Sequence, residues 1–304
     1  MLPDGACPYV TGISEALLRS LLRNQIMNKP FRLKTLDLLE RRGQLWSIPE
    51  GKVLINTINA YSYNQAKQDA AFAEALQQSD VLLADGTSIV LACLLLRAKS
   101  RPKHRCTGWD LFRFEMEKLN GNAYSFAAEP PGAPEPAEGS PLHPQAYWQQ
   151  FHPERKRPKV LFLGSTDRIL GLIKDKAAVE FPNLDVVTYS PPFKPEFSDE
   201  DNKAMVSFIN DEDPDLIWIG MTAPKQEKWA YSHFSELNIH CHVGSIGAVF
   251  DFYAGTVQRA PLFMQRYGME WLYRWSREPR RLFRRYGLGN PLFIWNMLLE
   301  AIGQ

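Results

Sequence analysis

The stretch from Val53 to Gly86, VLINTINAYSYNQAKQDAAFAEALQQSDVLLADG, decides the fold. It opens with a short run rich in β-branched residues, Val53 to Ile58, which predicts a strand. Small apolar residues then recur at helical spacing as far as Leu76, which predicts a helix packed through alanine. The apolar run from Val81 to Ala84 predicts a second strand. One strand–helix–strand unit therefore lies within these 34 residues.

The same alternation continues beyond this unit. Repeated strand–helix units indicate a parallel sheet with helices on both faces, so we predict an α/β fold with a Rossmann-like core. The further predicted strands are Val160 to Gly164, Leu184 to Tyr189, Leu216 to Ile219 and Ile239 to Val243.

Composition divides the chain into segments. Residues 1–50 are a leader region without recognisable chemistry, and residues 51–255 are the predicted α/β core. Within the core, an insertion at about 127–157 includes a segment, 129–144, with six prolines and three glutamates. Such a composition cannot build a packed core, which favours a surface loop over a partner-binding segment. Residues 256–304 are predicted to form a helical appendage rich in arginine and tryptophan.

The net charge of +1 hides an asymmetry along the chain. From Arg259 onward there are eight arginines, no lysine and three glutamates, a net charge of +5, so the preceding residues carry −4. This tail also holds nine aromatic residues. Arginine beside tryptophan favours a helix that faces anionic lipid or a diphosphate, although a helical cap with solvated arginines stays open. The overall balance argues against a nucleic-acid binder.

Membrane-spanning and disulfide-rich classes are not predicted. The longest apolar run, Ile89 to Leu96, is far shorter than the roughly 20 residues that a spanning helix needs. The four cysteines are widely separated and form no CxxC pair, which is typical of thiols in a reducing cytosol.

Polar residues follow several predicted strands, where ligands of open α/β sheets bind. These stretches are Asn56 to Asn59, Asp85-Gly86, Gly220 to Glu227 and Gly244 to Gly247. Taken singly, Asp85-Gly86 is compatible with a simple turn, and Pro224 with the first turn of a helix. No Walker A or GxGxxG sequence is present, so P-loop and standard dinucleotide fingerprints are missing. Two DxD patterns, at Asp199 and Asp211, are interpreted as surface acids rather than metal ligands.

Taken in order, the polar motifs from about residue 52 to 286 resemble the WecG/TagA/CpsF glycosyltransferases, glycosyltransferase family 26. The insertion and Ser245-Ile246 depart from that pattern. The matching motifs include Thr57-Ile-Asn59, Ala84-Asp85-Gly86, Arg105-Cys-Thr-Gly108, Pro224-Lys-Gln-Glu227, Gly244-Ser-Ile-Gly247, Glu270-Trp-Leu-Tyr-Arg274 and Glu278-Pro-Arg-Arg281.

This resemblance implies a fold of the GT-E type, with a membrane-associating C-terminal appendage, and an inverting transferase. Its donor would be a UDP-sugar, of the N-acetylmannosamine type or the corresponding uronic acid. Its acceptor would be a sugar on undecaprenyl diphosphate, in bacterial surface polysaccharide biosynthesis. The enzyme would be cytoplasmic and peripheral on the inner face of the membrane, without a metal cofactor or a nucleic-acid partner. A homo-oligomer stays open.

The resemblance also implies roles for individual residues. Asp85 would be the general base, with Thr57 and Asn59 hydrogen-bonding to a sugar. Gln226 and Gly247 would face the nucleotide-sugar. The donor or lipid diphosphate would be held by Arg105, Arg274, Arg281 and Arg284. A non-catalytic nucleotide-binding membrane adaptor and an NAD-type oxidoreductase are the alternatives, the latter without its glycine fingerprint.

Overall fold

Six strands form one parallel sheet with the strand order β2-β1-β6-β5-β3-β4. The computed structural model describes residues 30–121 and 144–303, and the residues from Arg32 onward form one compact unit. The strands are β1 Val53–Ile58, β2 Val81–Ala84, β3 Lys159–Gly164, β4 Asp185–Tyr189, β5 Leu216–Gly220 and β6 His242–Ser245.

Helices connect the strands and cover both faces of the sheet. In the core they are α1 Ala60–Ala66, α2 Ala70–Gln77, α3 Thr87–Leu95, α4 Gly108–Asn120, α5 Pro144–Phe151, α6 Asp167–Glu180, α7 Asp199–Glu212, α8 Lys225–His233 and α9 Val249–Ala254. Beyond the core lie α10 Leu262–Arg266, α11 Glu270–Arg277, α12 Pro279–Leu282, a π-helical turn Phe283–Leu288 and α13 Gly289–Ala301. The predicted α/β fold with C-terminal helices is confirmed.

The strands are apolar along their length because both of their faces are buried. Val53 and Ile55 of β1 point into one core, which contains Phe112, Trp218 and Phe250. Leu54 points the opposite way, into a second core beneath α7 and α8 that includes Ile217 and Trp229. The sheet is therefore the middle layer of three, and its strand ends are the places where polar groups can reach solvent.

Residues 32–50 belong to the same compact unit as the core, although the sequence analysis assigned them to the leader. They form two 3₁₀ turns, Leu33–Thr35 and Arg42–Ser47, and bury Leu33 and Leu45. Leu39 forms an isolated parallel bridge with Leu83 of β2. Residues 1–29 lie outside the described residues.

The predicted insertion is only partly described, since residues 127–143 lie outside the described residues. Its C-terminal part contains helix α5, whose Trp148 is buried in the first core.

The last helix, α13, packs against α1 through a buried carboxylate. Glu300 accepts hydrogen bonds from the backbone N–H groups of Leu33 and Lys34, at 3.1 and 2.5 Å, and from the hydroxyl of Tyr63 at 2.6 Å. Phe293 stacks edge-on against Tyr63, with ring centroids 5.5 Å apart. The C-terminal helices are thereby joined to the beginning of the core.

None of the helices within residues 30–121 and 144–303 combines the length and the apolar character that crossing a membrane requires.

Candidate active site

The carboxyl ends of β1 and β2 bring Asp85 beside Asn59. Ile58 pairs with Ala84 in the parallel register, and the N–H of Asp85 donates to the carbonyl of Ile58 at 2.8 Å. Gly86 follows with φ +145°, a conformation that favours glycine, and a Cβ built there would lie 3.9 Å from the Asn59 Cβ. The turn after β2 therefore holds Asp85 close to the end of β1.

The carboxyl group of Asp85 has a raised proton affinity. It retains some solvent-accessible surface, but protein surrounds it closely enough that burial raises its pKa to about 6. The guanidinium of Arg105 opposes this rise, and that of Arg285 does so more weakly, whereas the carboxylate of Glu270 adds to it. A carboxylate with a pKa near 6 is ionised at neutral pH and still basic enough to accept a proton from a hydroxyl group.

Thr57 and Asn59 lie on either side of the end of β1. Thr57 is half-buried and pairs in register with Leu83. Asn59 is the N-cap of α1, and its side-chain oxygen accepts a hydrogen bond from the N–H of Ser62 at 3.0 Å. The side-chain oxygen of Asn59 is therefore engaged within α1, and its amide nitrogen is the group available to donate a further hydrogen bond.

Arg105 lies next to the end of β2, because the N–H of Cys106 donates to the carbonyl of Ala84 at 3.0 Å. Its guanidinium donates to the carbonyl of Gln265 at 2.7 Å and lies 3.4 Å from a carboxylate oxygen of Glu270. The family resemblance implies that Arg105 holds a diphosphate; in the structure this side chain also connects the core to the C-terminal helices.

A second group of polar residues lies at the ends of β5 and β6. Gln226, in the first turn of α8, is 4% exposed; its side-chain oxygen accepts from the N–H of Met221 at 3.2 Å. Its amide nitrogen donates to Glu227 at 2.8 Å. Gly247 adopts φ +46°, and a Cβ there would lie 3.2 Å from the Gln226 oxygen. The backbone of Gly247 therefore lies close to the side chain of Gln226, with no room for a larger residue between them.

Glu227 is a buried acid that the sequence analysis did not single out. It is 1% exposed, its second carboxylate oxygen has no hydrogen-bond partner among the described residues, and burial raises its pKa to about 7. The Pro-Lys-Gln-Glu motif contained it, but a glutamate in the first turn of a helix is most simply explained by the helix dipole.

The predicted tail arginines separate into different environments. Arg274 lies over the ring of Phe252 at 5.4 Å, and Arg281 pairs with Glu278 at 2.5 Å. Both lower the pKa of Asp251, whose net shift is upward because of burial. Arg284 is exposed on the π-helical turn.

Arg285, the neighbour of Arg284, is the tail arginine that influences Asp85. It lies over the ring of Tyr61 at 4.9 Å and is half-buried. The structure therefore brings Thr57, Asn59, Asp85, Arg105 and Arg285 together at one end of the sheet.

The acidic motifs at 199–201 and 211–213 have structural roles. Asp201 accepts from the N–H of Ser198 in a capping box at the start of α7, and Asp213 lies 3.4 Å from His152. Across the parts of the chain that the structure describes, no cluster of three or more metal-binding side chains occurs. A small cavity lined by Glu115 and His242 lies at the amino ends of the strands, whereas Asp85 lies at their carboxyl ends.

Comparison with known proteins identifies the relatives of the chain. The sequence model of the glycosyl transferase WecG/TagA/CpsF family matches residues 25–131 and 132–304. A protein of Bacillus subtilis (strain 168), named N-acetylglucosaminyldiphosphoundecaprenol N-acetyl-beta-D-mannosaminyltransferase, is 23% identical over 81% of this chain and 79% of its own length. A protein of the same name from Staphylococcus aureus (strain MW2) gives the same identity and coverage. One from Bacillus spizizenii is 22% identical over 77% of this chain and 74% of its own length.

Proposed function

Because the chain belongs to the WecG/TagA/CpsF glycosyltransferase family, we propose that it transfers N-acetylmannosamine from its UDP derivative to N-acetylglucosaminyl-diphosphoundecaprenol. The names of its relatives specify both this sugar and this acceptor. The structural observation that carries the proposal is the half-buried carboxylate of Asp85, with its pKa of about 6, beside two arginines at the carboxyl edge of the sheet.

Asp85 acts as the general base. Its carboxylate accepts the proton of the attacking acceptor hydroxyl while that oxygen bonds to the anomeric carbon of the donor. The bond between the anomeric carbon and the phosphate oxygen breaks on the opposite face, which inverts the configuration, and UDP leaves with the electron pair. Thr57 and Asn59 belong to the same end of β1 that neighbours Asp85, and we propose that the Thr57 hydroxyl and the Asn59 amide nitrogen orient the reacting sugar.

The arginines stabilise the departing diphosphate. Guanidinium groups form paired hydrogen bonds with phosphate oxygens and stay charged at every working pH. Arg105 and Arg285 both favour the ionised form of Asp85, so they are the arginines that we place on the departing diphosphate. Arg274, Arg281 and Arg284 would hold the diphosphate of the acceptor or the donor from the tail. Positive charge from the protein then supplies leaving-group stabilisation, and we propose that no metal ion is required.

The close approach of Gly247 to the buried side chain of Gln226 supports a donor site at the ends of β5 and β6. The start of α8 presents backbone N–H groups there, and a helix N-terminus favours a phosphate. The donor would then lie across the strand ends between Gln226 and Asp85. The acceptor would approach from the C-terminal helices, at the inner face of the cytoplasmic membrane.

One assay tests the proposal directly. The purified full-length chain is incubated with a short-chain polyprenyl-diphosphate N-acetylglucosamine and with UDP-N-acetylmannosamine, and both UDP release and product mass are measured. UDP-N-acetylmannosaminuronic acid and UDP-N-acetylglucosamine serve as competing donors. We expect acceptor-dependent UDP release that is fastest with UDP-N-acetylmannosamine. Release that is independent of the acceptor, or absent with every donor, would contradict the proposal.

A further inference from the structure

Helix α3 exposes leucines on the side that faces away from the core. Ile89, Ala92 and Cys93 are buried, yet Leu91, Leu94 and Leu95 are 53%, 62% and 81% exposed. A surface helix normally carries polar residues on its outer face, and a helix that is apolar all round is buried in protein or in lipid. Leu94 and Leu95 follow Leu91 by three and four residues, so the three side chains lie next to one another and form a contiguous apolar face.

A basic segment continues directly from these leucines. Arg97, Lys99, Arg101 and Lys103 are all exposed, and the sequence has no acidic residue between Gly86 and Asp110. Lys99 pairs with Asp37 at 2.5 Å, but both side chains are largely exposed, so this pair is readily exchanged for another anion. We call the three leucines and these four cations the α3 surface.

The α3 surface lies beside the proposed catalytic carboxylate. Helix α3 starts two residues after Asp85, and a rise of 1.5 Å per residue places Leu91 and Leu95 roughly 9 to 15 Å along the chain from it. A sugar diphosphate spans a comparable distance. A lipid-linked sugar could therefore reach Asp85 while its lipid stays at the level of these leucines.

The α3 surface also adjoins the C-terminal helices. Gly268, between α10 and α11, packs so closely on Thr87 that a Cβ there would lie 2.2 Å from the Thr87 hydroxyl oxygen. The neighbouring helix α10 exposes Leu262 and Phe263, at 82% and 60%. Exposed apolar side chains therefore lie on both sides of this contact.

We propose that the α3 surface inserts into an anionic lipid bilayer, so that a helix of the α/β core, as well as the C-terminal tail, docks the enzyme on the membrane. Exposed leucines flanked by exposed arginine and lysine are the combination that binds interfacially to anionic lipid. A second copy of the chain is the less suitable occupant, because four cations on each copy would face each other across a symmetric contact. The inference rests on the proposed function for its purpose, which is to present the lipid-linked acceptor.

Vesicle binding tests the inference without requiring activity. The full chain is sedimented with vesicles of phosphatidylcholine alone and of phosphatidylcholine mixed with phosphatidylglycerol. The variant L91Q/L94Q/L95Q removes the apolar face, and R97Q/K103Q removes charge alone. The matched control is L172Q/V179Q on α6, which changes two exposed apolar residues on another helix.

We expect the leucine variant to reduce binding to anionic vesicles at least ~10-fold. The charge variant should lose most of the preference for phosphatidylglycerol, and the control should bind like the wild type. Turnover of a short-chain, water-soluble acceptor should stay within about twofold for all three variants, because none of the changed residues contacts the proposed site. Loss of turnover in the wild type would contradict the proposed function and leave the vesicle result standing.

Two outcomes would overturn the inference. The first is a leucine variant that unfolds at the wild-type temperature and binds anionic vesicles as the wild type does. The second is a wild-type oligomer that the leucine substitutions dissociate in sedimentation velocity, which would make a second copy the occupant. Should the triple variant fail to fold, Leu95→Cys in a Cys7→Ser background carries an environment-sensitive dye. A blue shift on adding anionic vesicles supports insertion, and an unchanged spectrum contradicts it.

Discussion

The guanidinium of Arg105 lies 3.4 Å from the carboxylate of Glu270, 165 residues further along the chain. Glu270 opens helix α11 and is also 3.5 Å from Arg259, while Arg105 donates to the carbonyl of Gln265. These contacts join the C-terminal helices to the strand end that carries Asp85. Arg105 and Glu270 also act oppositely on that carboxyl group, since the first lowers its pKa and the second raises it.

Substitutions of this pair should shift the pH dependence of transfer in opposite directions. Activity requires ionised Asp85, so kcat/KM should rise with pH through about 6 in the wild type. Arg105→Gln removes the charge that favours the carboxylate, so the rise of kcat/KM should occur at higher pH. Glu270→Gln should move this rise to lower pH. In the double variant the midpoint of the rise should lie between those of the single variants, and midpoints that shift in the same direction in both single variants would contradict the opposite effects of Arg105 and Glu270 on Asp85.

Asp85→Asn should slow transfer strongly while leaving donor binding intact. The asparagine keeps the size of the side chain but cannot accept the proton of the acceptor, which should cost about 10²- to 10⁴-fold in kcat. UDP-sugar affinity, measured by calorimetry, should change by less than about twofold. Asp175→Asn, which changes an exposed acid on α6, is the matched control. Turnover near the wild-type rate would exclude Asp85 as the base.

Glu227→Gln should make the protein more stable at alkaline pH and less active. The pKa of Glu227 rises from 4.5 to about 7 on folding, so the native state binds more protons than the unfolded state between these values. Stability is therefore lost as pH rises through this window, by about 3 kcal/mol in total. Glutamine removes the buried charge, and urea unfolding at pH 8 should show the gain, which should vanish near pH 4.

The same substitution should weaken donor binding, because Glu227 holds the amide of Gln226. Gln226→Ala should raise the KM for UDP-sugar, and Glu227→Gln should raise it less. An unchanged KM in both variants would remove this pair from the donor site.

The buried pair of His242 and Glu115 should make stability depend on pH at the opposite end of the sheet. The two side chains are 2.9 Å apart; despite the burial of both groups, their attraction lowers the pKa of Glu115 below 4.5 and raises that of His242 above 6.5. The contribution of ionised Glu115 to the stability of the fold is present above pH 4.5, its ordinary pKa, and is lost as the pH falls through its lower pKa in the folded state. The contribution of protonated His242 is complete below pH 6.5, its ordinary pKa, and is lost as the pH rises through its higher pKa in the folded state.

His242→Gln should therefore destabilise the fold most between pH 4.5 and pH 6.5, where both charges of the pair contribute to stability. It leaves the buried Glu115 with Lys118 as its remaining positive neighbour, and breaking a buried ion pair typically costs about 3 kcal/mol. Thermal unfolding from pH 4 to 8 measures the difference. Transfer activity at a temperature where both proteins are folded should be unaffected, since the pair lies at the amino ends of the strands.

Metal removal should leave transfer unchanged. The diphosphate is expected to be neutralised by Arg105, Arg285 and the tail arginines. Treatment with EDTA followed by gel filtration should reduce neither kcat nor donor affinity. Activity that is lost to EDTA and restored by manganese would instead direct attention to the acidic motif at Asp199.

The fold was predictable because every strand of a doubly covered parallel sheet is a short apolar run. The predicted strand at Val81 to Ala84 coincides with β2. The apolar pattern predicts the last strand at Ile239 to Val243, whereas β6 is His242–Ser245. Ile239 is buried in the second core without joining the ladder, so its apolar character reflects side-chain packing and not strand pairing.

The site was predictable only where residues lie close together in sequence or follow neighbouring strands. Asp85 and Asn59 meet because parallel strands end at the same edge. The composition of the tail predicts a helical appendage, but it does not predict the π-helical turn at Phe283–Leu288. Arg285 lies over Tyr61 while Arg284 stays exposed, because only Arg285 faces the core at this turn. Sequence spacing separates the directions of two neighbouring residues but does not say which of them packs against the core.

The burial of Glu300 determines which experiments on the tail can be interpreted. Cutting the chain after residue 255 would strip three hydrogen-bond donors, on Leu33, Lys34 and Tyr63, of their acceptor and would uncover the ring of Tyr63. An inactive truncate would then report a damaged α/β domain as readily as a lost lipid contact. Single substitutions at exposed positions such as Arg284 or Trp295 leave the hydrogen bonds of Glu300 intact. A loss of activity in such a variant then reports a lost contact with lipid or substrate and not an unfolded domain.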